Sequence, residues 1–314
     1  MSLWLLVVPS GALRSVLSRL AVAMDCARVS CSERKAADAN GGDVPIMNTQ
    51  LYPWLADLDS IEAKEAIREA RRRYETQGVV TFPDFVCEST RQQIVASLPH
   101  DKAFTTDDAH TAYLREEPDP TLHPVYNHRM ATKVASLAYD ELPVDGVLAQ
   151  LYPALLPLVS RIVNQKLHLS EDPLGCCSIN VFRPGYHHSF HFDESDFSTT
   201  LMLQPAARGG LFQYTDPLRT SKDDLVVEKV AATIQAYDQG CWKTPLPPPP
   251  LHTLDFPAGT LSLFRGSTML HRVTQVEEST TRLVAVLTYS KQPHFCNSAA
   301  VQKLFWGRSK QPGG

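Results

Sequence analysis

The chain has 314 residues, 43% of them hydrophobic and 20% charged, which is enough to bury one large core. A formal net charge of −4 gives no general attraction to a phosphate backbone, so nucleic acid is not an expected partner. The seven cysteines are odd in number and form no C-x-x-C pair, which argues against both a disulfide framework and a zinc site and fits reduced thiols in an intracellular compartment.

In chain order, Met1 to Met24 has no acidic residue, carries Arg14 and Arg19, and resembles an organelle transit segment (mitochondrion or plastid) more than a secretory signal. Pro9, Gly11 and Arg14 interrupt its apolar stretch, so it is too short to span a membrane. With the small, polar stretch Ala36 to Asp43, residues 1–46 are expected to be a disordered or targeting extension; Met24 and Met47 are alternative starts, and a cytoplasmic location is preferred.

Residues 47–170 are expected to form a helical N-terminal part. Asp59, with Glu62 three positions on, is expected to cap a helix whose apolar side is Ala63, Ile67, Ala70 and Tyr74 and which ends at Gly78. Arg71-Arg72-Arg73 lies between Glu69 and Glu75 and reads as a solvated face of that helix. A short strand, Val79 to Phe82, follows, then a helix from Cys87 to Leu98. Asp101 to Asn127 shows no clear periodicity and is expected to be a functional or a covering segment rather than a plain linker. A helix from Pro153 to about Gln165 should bury Leu155, Leu158, Val159, Ile162 and Val163, with Pro153 and Pro157 confined to its first turns.

Residues 171–293 read as a run of short strands: Cys176 to Phe182, Phe190 to Asp193, Ser198 to Gln204, Leu211 to Tyr214, Leu261 to Phe264, His271 to Val276 and Leu283 to Tyr289. With Gly and Pro between them, they predict an α+β, mainly β molecule: a double-stranded β-helix (jelly-roll, cupin-like) core with supporting N-terminal helices. Asp216 to His252 is an insertion containing the proline run Pro247 to Pro250, read as a surface excursion or a lid over the site. Residues 294–314 are expected to be a C-terminal tail.

The chemistry lies in the strand-rich part. On a strand, His191 and Asp193 point to one face and can grip one ion while Phe192 turns into the packing behind. His271 opens a later strand and supplies a third ligand. Two imidazoles and one carboxylate leave a face of an Fe(II) ion open, although zinc or manganese would also accept these residue types. A hairpin after His271 would bring Arg282 back beside it, and a guanidinium can hold a carboxylate bidentately.

His191-Phe192-Asp193, the distal His271 and Arg282 together resemble the motif of the Fe(II)/2-oxoglutarate-dependent dioxygenases. The resemblance runs from Pro173 to Arg308 and includes Asn180 to Gly185, His187 to Gln204, Gly209 to Tyr214 and Pro257 to Gly266. Within the superfamily it is similar to the branch of radical halogenases and free-amino-acid hydroxylases. The resemblance implies that His191, Asp193 and His271 hold Fe(II), that Arg282 anchors 2-oxoglutarate, and that O2 is the second cosubstrate. The halogenases of that branch replace the carboxylate by Gly or Ala to admit chloride. Asp193 is retained here, so the resemblance implies hydroxylation of a small polar metabolite such as a free amino acid, with release of succinate and carbon dioxide.

Asn180 is expected to bond 2-oxoglutarate through its amide or to cap a strand hydrogen bond. His187 and His188 are expected at the surface or against substrate, Arg265 on a substrate acid or in an ion pair, and Glu194 and Asp196 on an ammonium group or as solvated carboxylates. Asn127, His128 and Arg129 are candidates for the entrance. The rival readings are a protein hydroxylase, an alkylated-base demethylase, whose second Arg after the distal His is missing here, and a non-enzymatic cupin-like binding protein, which would be expected to have lost a ligand. No partner other than a small-molecule substrate is expected, and the sequence does not indicate an oligomeric state.

Overall fold

The computed structural model describes residues 46–311, apart from 116, 196, 239, 241 and 243. The transit-like segment at 1–24 and nearly all of the extension expected over 1–46 lie outside the described residues, as does Asp196. No helix among the described residues is long and apolar enough to cross a membrane. The described cysteines, Cys87, Cys176, Cys177 and Cys296, are free thiols.

The described strands are, in order, β1 (Val79–Phe82), β2 (Phe104–Thr111), β3 (Arg129–Leu137), β4 (His168–Leu169), β5 (Cys177–Phe182) and β6 (His188–His191). They continue with β7 (Phe197–Gln204), β8 (Phe212–Thr215), β9 (Leu251–Thr253), β10 (Leu261–Phe264), β11 (His271–Val273) and β12 (Arg282–Ser290). The larger sheet runs β1-β10-β7-β12-β5-β3-β2, with β4 added to β12, and the smaller runs β6-β11-β8-β9. All the pairings are antiparallel. This is the two-sheet jelly roll that the strand pattern predicts.

Alternation on β12 shows how the large sheet serves two interiors. Leu283, Ala285, Leu287 and Tyr289 belong to the main apolar core, whereas Arg282, Val284, Val286 and Thr288 line a cavity on the other face. The core is completed by two helices, α1 (Ile61–Gln77) and α3 (Val147–Val163), which precede and follow α2 (Glu88–Ser97) in the chain. Helix α1 buries Ala63, Ile67, Ala70 and Tyr74, as its spacing predicts, and ends at Gly78, whose φ of 74° suits glycine. Its N-cap is Ser60, whose hydroxyl accepts from the Ala63 N–H at 3.1 Å; Asp59, expected there, pairs instead with Arg161 at 2.9 Å. On the Arg run, Arg72 pairs with Glu69 on the exposed face, while Arg71 reaches inward to the Arg161 carbonyl.

Three further expectations are corrected. Helix α3 starts at Val147, so Pro153 and Pro157 lie inside it rather than in its first turns. An internal proline costs about 3 kcal/mol, but each buried side chain of the stripe Leu148, Leu151, Leu155, Leu158 and Ile162 returns about 1.5–3 kcal/mol. The N-terminal part is not only helical: β1, β2 and β3 join the large sheet, and β2 comes from the stretch read as a functional or covering segment. Its pattern is concealed because Asp107 and Asp108 lie on an edge strand facing solvent, where charge is expected. Finally, part of the expected C-terminal tail is a helix, α5 (Ala299–Trp306), packed on β2 and β3.

The insertion carries α4 (Val227–Tyr237). Val230, Ala231 and Ile234 of this helix pack with Tyr113, Val125, Phe192 and Leu270 in a second apolar cluster. It is thus a structural buttress behind the site strands.

Candidate active site

The small sheet sets the two imidazoles side by side. His191, the last residue of β6, is registered opposite His271, the first of β11, and the ring centroids are 4.1 Å apart. Each Nδ1–H donates to a backbone carbonyl two residues earlier, His191 to Ser189 and His271 to Met269, both at 2.9 Å. Those bonds fix the tautomers and leave each Nε2 as a lone pair.

Both lone pairs face one carboxylate oxygen. Asp193 Oδ1 lies 3.4 Å from His191 Nε2 and 3.3 Å from His271 Nε2, and the three ligand atoms lie within 4.8 Å of one another. Asp193 does not share a strand face with His191 as expected, because β6 ends at His191. The chain there leaves the ladder: Phe192 N donates to the Ala112 carbonyl and Asp193 N to that of Gly266. Phe192 is fully buried under the Arg219 guanidinium, 4.0 Å from its ring, so it does form the backing that its position predicts.

The protonation pattern suits a cation. Burial opposes ionisation of Asp193, yet the facing imidazoles of His271 and His191 hold its carboxyl well below the usual range. Burial, reinforced by His271, pushes His191 down, so the neutral ring prevails. A neutral His191 nitrogen and an anionic Asp193 oxygen thus converge with His271 Nε2 on one point. That donor set fits a divalent ion with N/O preference, Fe(II) included.

Arg282 reaches the same cavity from the opposite side. It begins β12 of the large sheet, so the expected β11–β12 hairpin does not form; the two sheets facing one another bring it near His271 instead. Its side chain is buried, its Nε has no hydrogen-bond partner, and among the described residues no carboxylate pairs with it. Phe182 lies under the guanidinium, 5.1 Å from ring centroid to Cζ. Burial alone lowers this group to about 9. Asn180, one pleat away on β5, lines the cavity, and its Oδ1 accepts from Ser136 Oγ at 3.2 Å, which leaves its NH2 for a ligand.

Other candidates divide. His188 is buried in the cavity, stacked on His191 at 3.8 Å, whereas His187 is turned outward onto the Ala131 carbonyl. Arg265 lies over Tyr74 of α1, outside the cavity lining. Glu194 accepts from the N–H and hydroxyl of Ser298, the residue that caps α5. Asn127 pins Asp119 and His128 meets Trp242 edge to face; Arg129 bonds the Ala109 carbonyl, beside a second recess that shares Leu114 and Val301 with the cavity.

Sequence reading missed Leu114, Phe256, Val301, Phe305 and Trp306, which wall the cavity together with the metal-facing residues. The described residues of the insertion supply none of that wall, and α5 supplies Val301, Phe305 and Trp306 of it. Nothing in the sequence marks these side chains, since an apolar residue above a cavity reads like any core residue.

A family model described as Halogenase D matches residues 62–304. Among solved structures, the non-heme alpha ketoglutarate dependent epimerase SnoN from nogalamycin biosynthesis is 14% identical, with a TM-score of 0.50 over 72% of this chain and 83% of that one. The carbocyclase SnoK of the same biosynthesis is 16% identical, with a TM-score of 0.49 over 71% and 83%. A 2OG-Fe(II) oxygenase family oxidoreductase from Burkholderia pseudomallei is 14% identical, with a TM-score of 0.44 over 72% and 91%. No curated protein matches the chain. The likeness to SnoN shows the fold. The family match spans more than three quarters of the sequence, from α1 to α5, and the chain belongs to the Halogenase D family.

Proposed function

We propose that the cavity is the active site of an Fe(II)- and 2-oxoglutarate-dependent hydroxylase acting on a small polar metabolite such as a free amino acid. The observation that carries this reading is the unpaired, buried Arg282 in the same cavity as the three convergent metal ligands. A desolvated guanidinium without a counter-ion is costly, and a bound carboxylate removes that cost.

His191, Asp193 and His271 hold the metal, Arg282 grips the distal carboxylate of 2-oxoglutarate and Asn180 donates an amide hydrogen bond to it. The bound metal, 2-oxoglutarate and O2 supply the oxidising chemistry, which converts the keto acid to succinate and carbon dioxide. The protein orients the reactants and excludes water. Val301, Phe305 and Leu114 wall the cavity, and the backbone carbonyls on both Nδ1 atoms keep the rings from turning. A cavity of about 150 Å3 supports a small ligand over a protein segment or a nucleic-acid strand. The family's name points to halogenation, but Asp193 fills the place that halogenases of this branch leave for chloride. That favours hydroxylation.

The test is anaerobic addition of 2-oxoglutarate to the Fe(II)-loaded protein. A weak visible charge-transfer band should arise and should be absent from His191→Ala; a band retained in that variant would defeat the ligand assignment. Succinate release screened over amino acids, other small metabolites, peptides and methylated oligonucleotides then assigns the substrate. A response to peptides or oligonucleotides alone would overturn the small-metabolite reading.

A further inference from the structure

The two oxygens of Asp193 have different surroundings. Oδ1 faces the imidazoles, whereas Oδ2 accepts a hydrogen bond from the hydroxyl of Ser198. Ser198 lies near the start of β7 in the large sheet, registered opposite Phe264 at the end of β10 and Thr288 on β12. Its hydroxyl is 3.3 Å from that of Ser195. The carboxylate therefore spans the sheets, with one oxygen turned to the small-sheet histidines and the other held by the large sheet.

The space for Oδ2 exists because residue 266 has no side chain. A Cβ built there would lie 1.8 Å from Asp193 Oδ2, 2.5 Å from its Cγ and 2.7 Å from Ser198 Oγ. Gly266 does not have the positive φ that would by itself call for glycine. Room is what it supplies. Its carbonyl also accepts the Asp193 N–H at 3.0 Å, so the same residue holds the backbone of Asp193 and leaves space for the carboxylate.

We propose that Ser198 and Gly266 are positioning residues that make Asp193 a one-oxygen metal ligand, and that this pair commits the chain to a carboxylate-ligated centre. The inference rests on reading His191, Asp193 and His271 as a metal site. A carboxylate bound through both oxygens would take two coordination positions. Held through Oδ1 alone, with one nitrogen from each histidine, it leaves three of six positions open, the number required by a bidentate keto acid and O2 together. Any side chain at 266 would expel Oδ2 from its niche, leaving a two-histidine centre that an external anion can complete.

The test is Co(II) binding to the whole protein, followed by calorimetry and the visible absorption of the bound ion, with azide as the external anion. Ser198→Ala should weaken Co(II) binding roughly 10- to 100-fold, the usual effect of losing a group that orients a metal ligand. Ser198→Thr, which keeps the hydroxyl, should restore most of it. In an Asp193→Ala background the same Ser198→Ala change should do nothing, because Ser198 acts only through that carboxylate. Gly266→Ala should reproduce Asp193→Ala, including a new spectral response to azide; should that variant not fold, the Ser198 and Asp193 cycle still decides. An unchanged affinity in Ser198→Ala, or an equal loss in both backgrounds, overturns the proposal while leaving the metal site standing. Failure of the unaltered protein to bind Co(II) would instead remove the metal reading and the proposal with it.

Discussion

A charged side chain that is buried, unpaired and lowered by burial to about 9, as Arg282 is, weakens the fold that contains it. It persists where a ligand completes it. Arg282→Met should therefore raise the unfolding free energy of the ligand-free protein by about 1–4 kcal/mol while abolishing 2-oxoglutarate binding, measured by urea unfolding and calorimetry on the same samples. A loss of stability would show that the guanidinium has a structural partner. The sequence marks Arg282 by its distance from His271, and it marks Asp193 by residue type. It does not mark Ser198 or Gly266, because a serine near a strand start and a glycine after a strand are ordinary; only the position of Oδ2 gives them a role.

At the scale of elements, α5 is where expectation and structure differ most. A short, partly apolar segment near the end of a chain reads as a tail, since its eight residues form a helix too short to be stable alone. Tertiary contacts hold it. The buried Asp172 accepts from Asn297 N and Nδ2 and from Gln302 Nε2, and Glu194 accepts twice from Ser298. The loop that carries Asp193 is thereby tied to the helix that walls the cavity. Glu194→Ala should cost about 0.5–2 kcal/mol, the range for losing a helix-end hydrogen bond, and should speed amide exchange over 299–306 without changing Co(II) affinity. Equal exchange in both proteins would show that Asp172 alone seats the helix. The proline-containing α3 teaches the converse: its apolar stripe is legible, but its start is not, because the first turns are kept helical by burial of Leu148 and Leu151 against the sheet.

At the scale of the whole molecule, packing two sheets around a cavity places neutral histidines in its interior. His110 is buried between strands, with Nδ1 3.0 Å from the Thr111 carbonyl and Nε2 2.6 Å from Thr132 Oγ1. Burial, with a smaller contribution from His191, pushes it from the usual 6.5 down to about 3. The unfolded chain therefore takes up a proton near pH 6.5 that the folded protein refuses until about pH 3. Stability is complete above pH 6.5 and is lost as pH falls through that window, by at most about 1.4 kcal/mol per pH unit for this one group. Urea unfolding of the metal-free protein at pH 7, 6, 5 and 4 should show the decline, and His110→Gln should make it shallower. An identical slope in the variant would place the acid sensitivity elsewhere, with the buried His188 next in line.

By itself the sequence determined the chemistry-bearing residue types, the jelly-roll strands of its second half and the apolar faces of α1 and α3. Those features follow from local periodicity and from the order of His191, Asp193, His271 and Arg282 along the chain. Only the tertiary structure decided that Arg282 reaches the site from the sheet opposite His271, that β1, β2 and β3 extend the large sheet, and that α5 helps to wall the cavity while the described residues of the insertion do not. The physical reason is that strand pairing, niche shape and the seating of a short helix depend on residues far apart in sequence. The space that admits Oδ2 of Asp193 is made by a missing side chain 73 positions away.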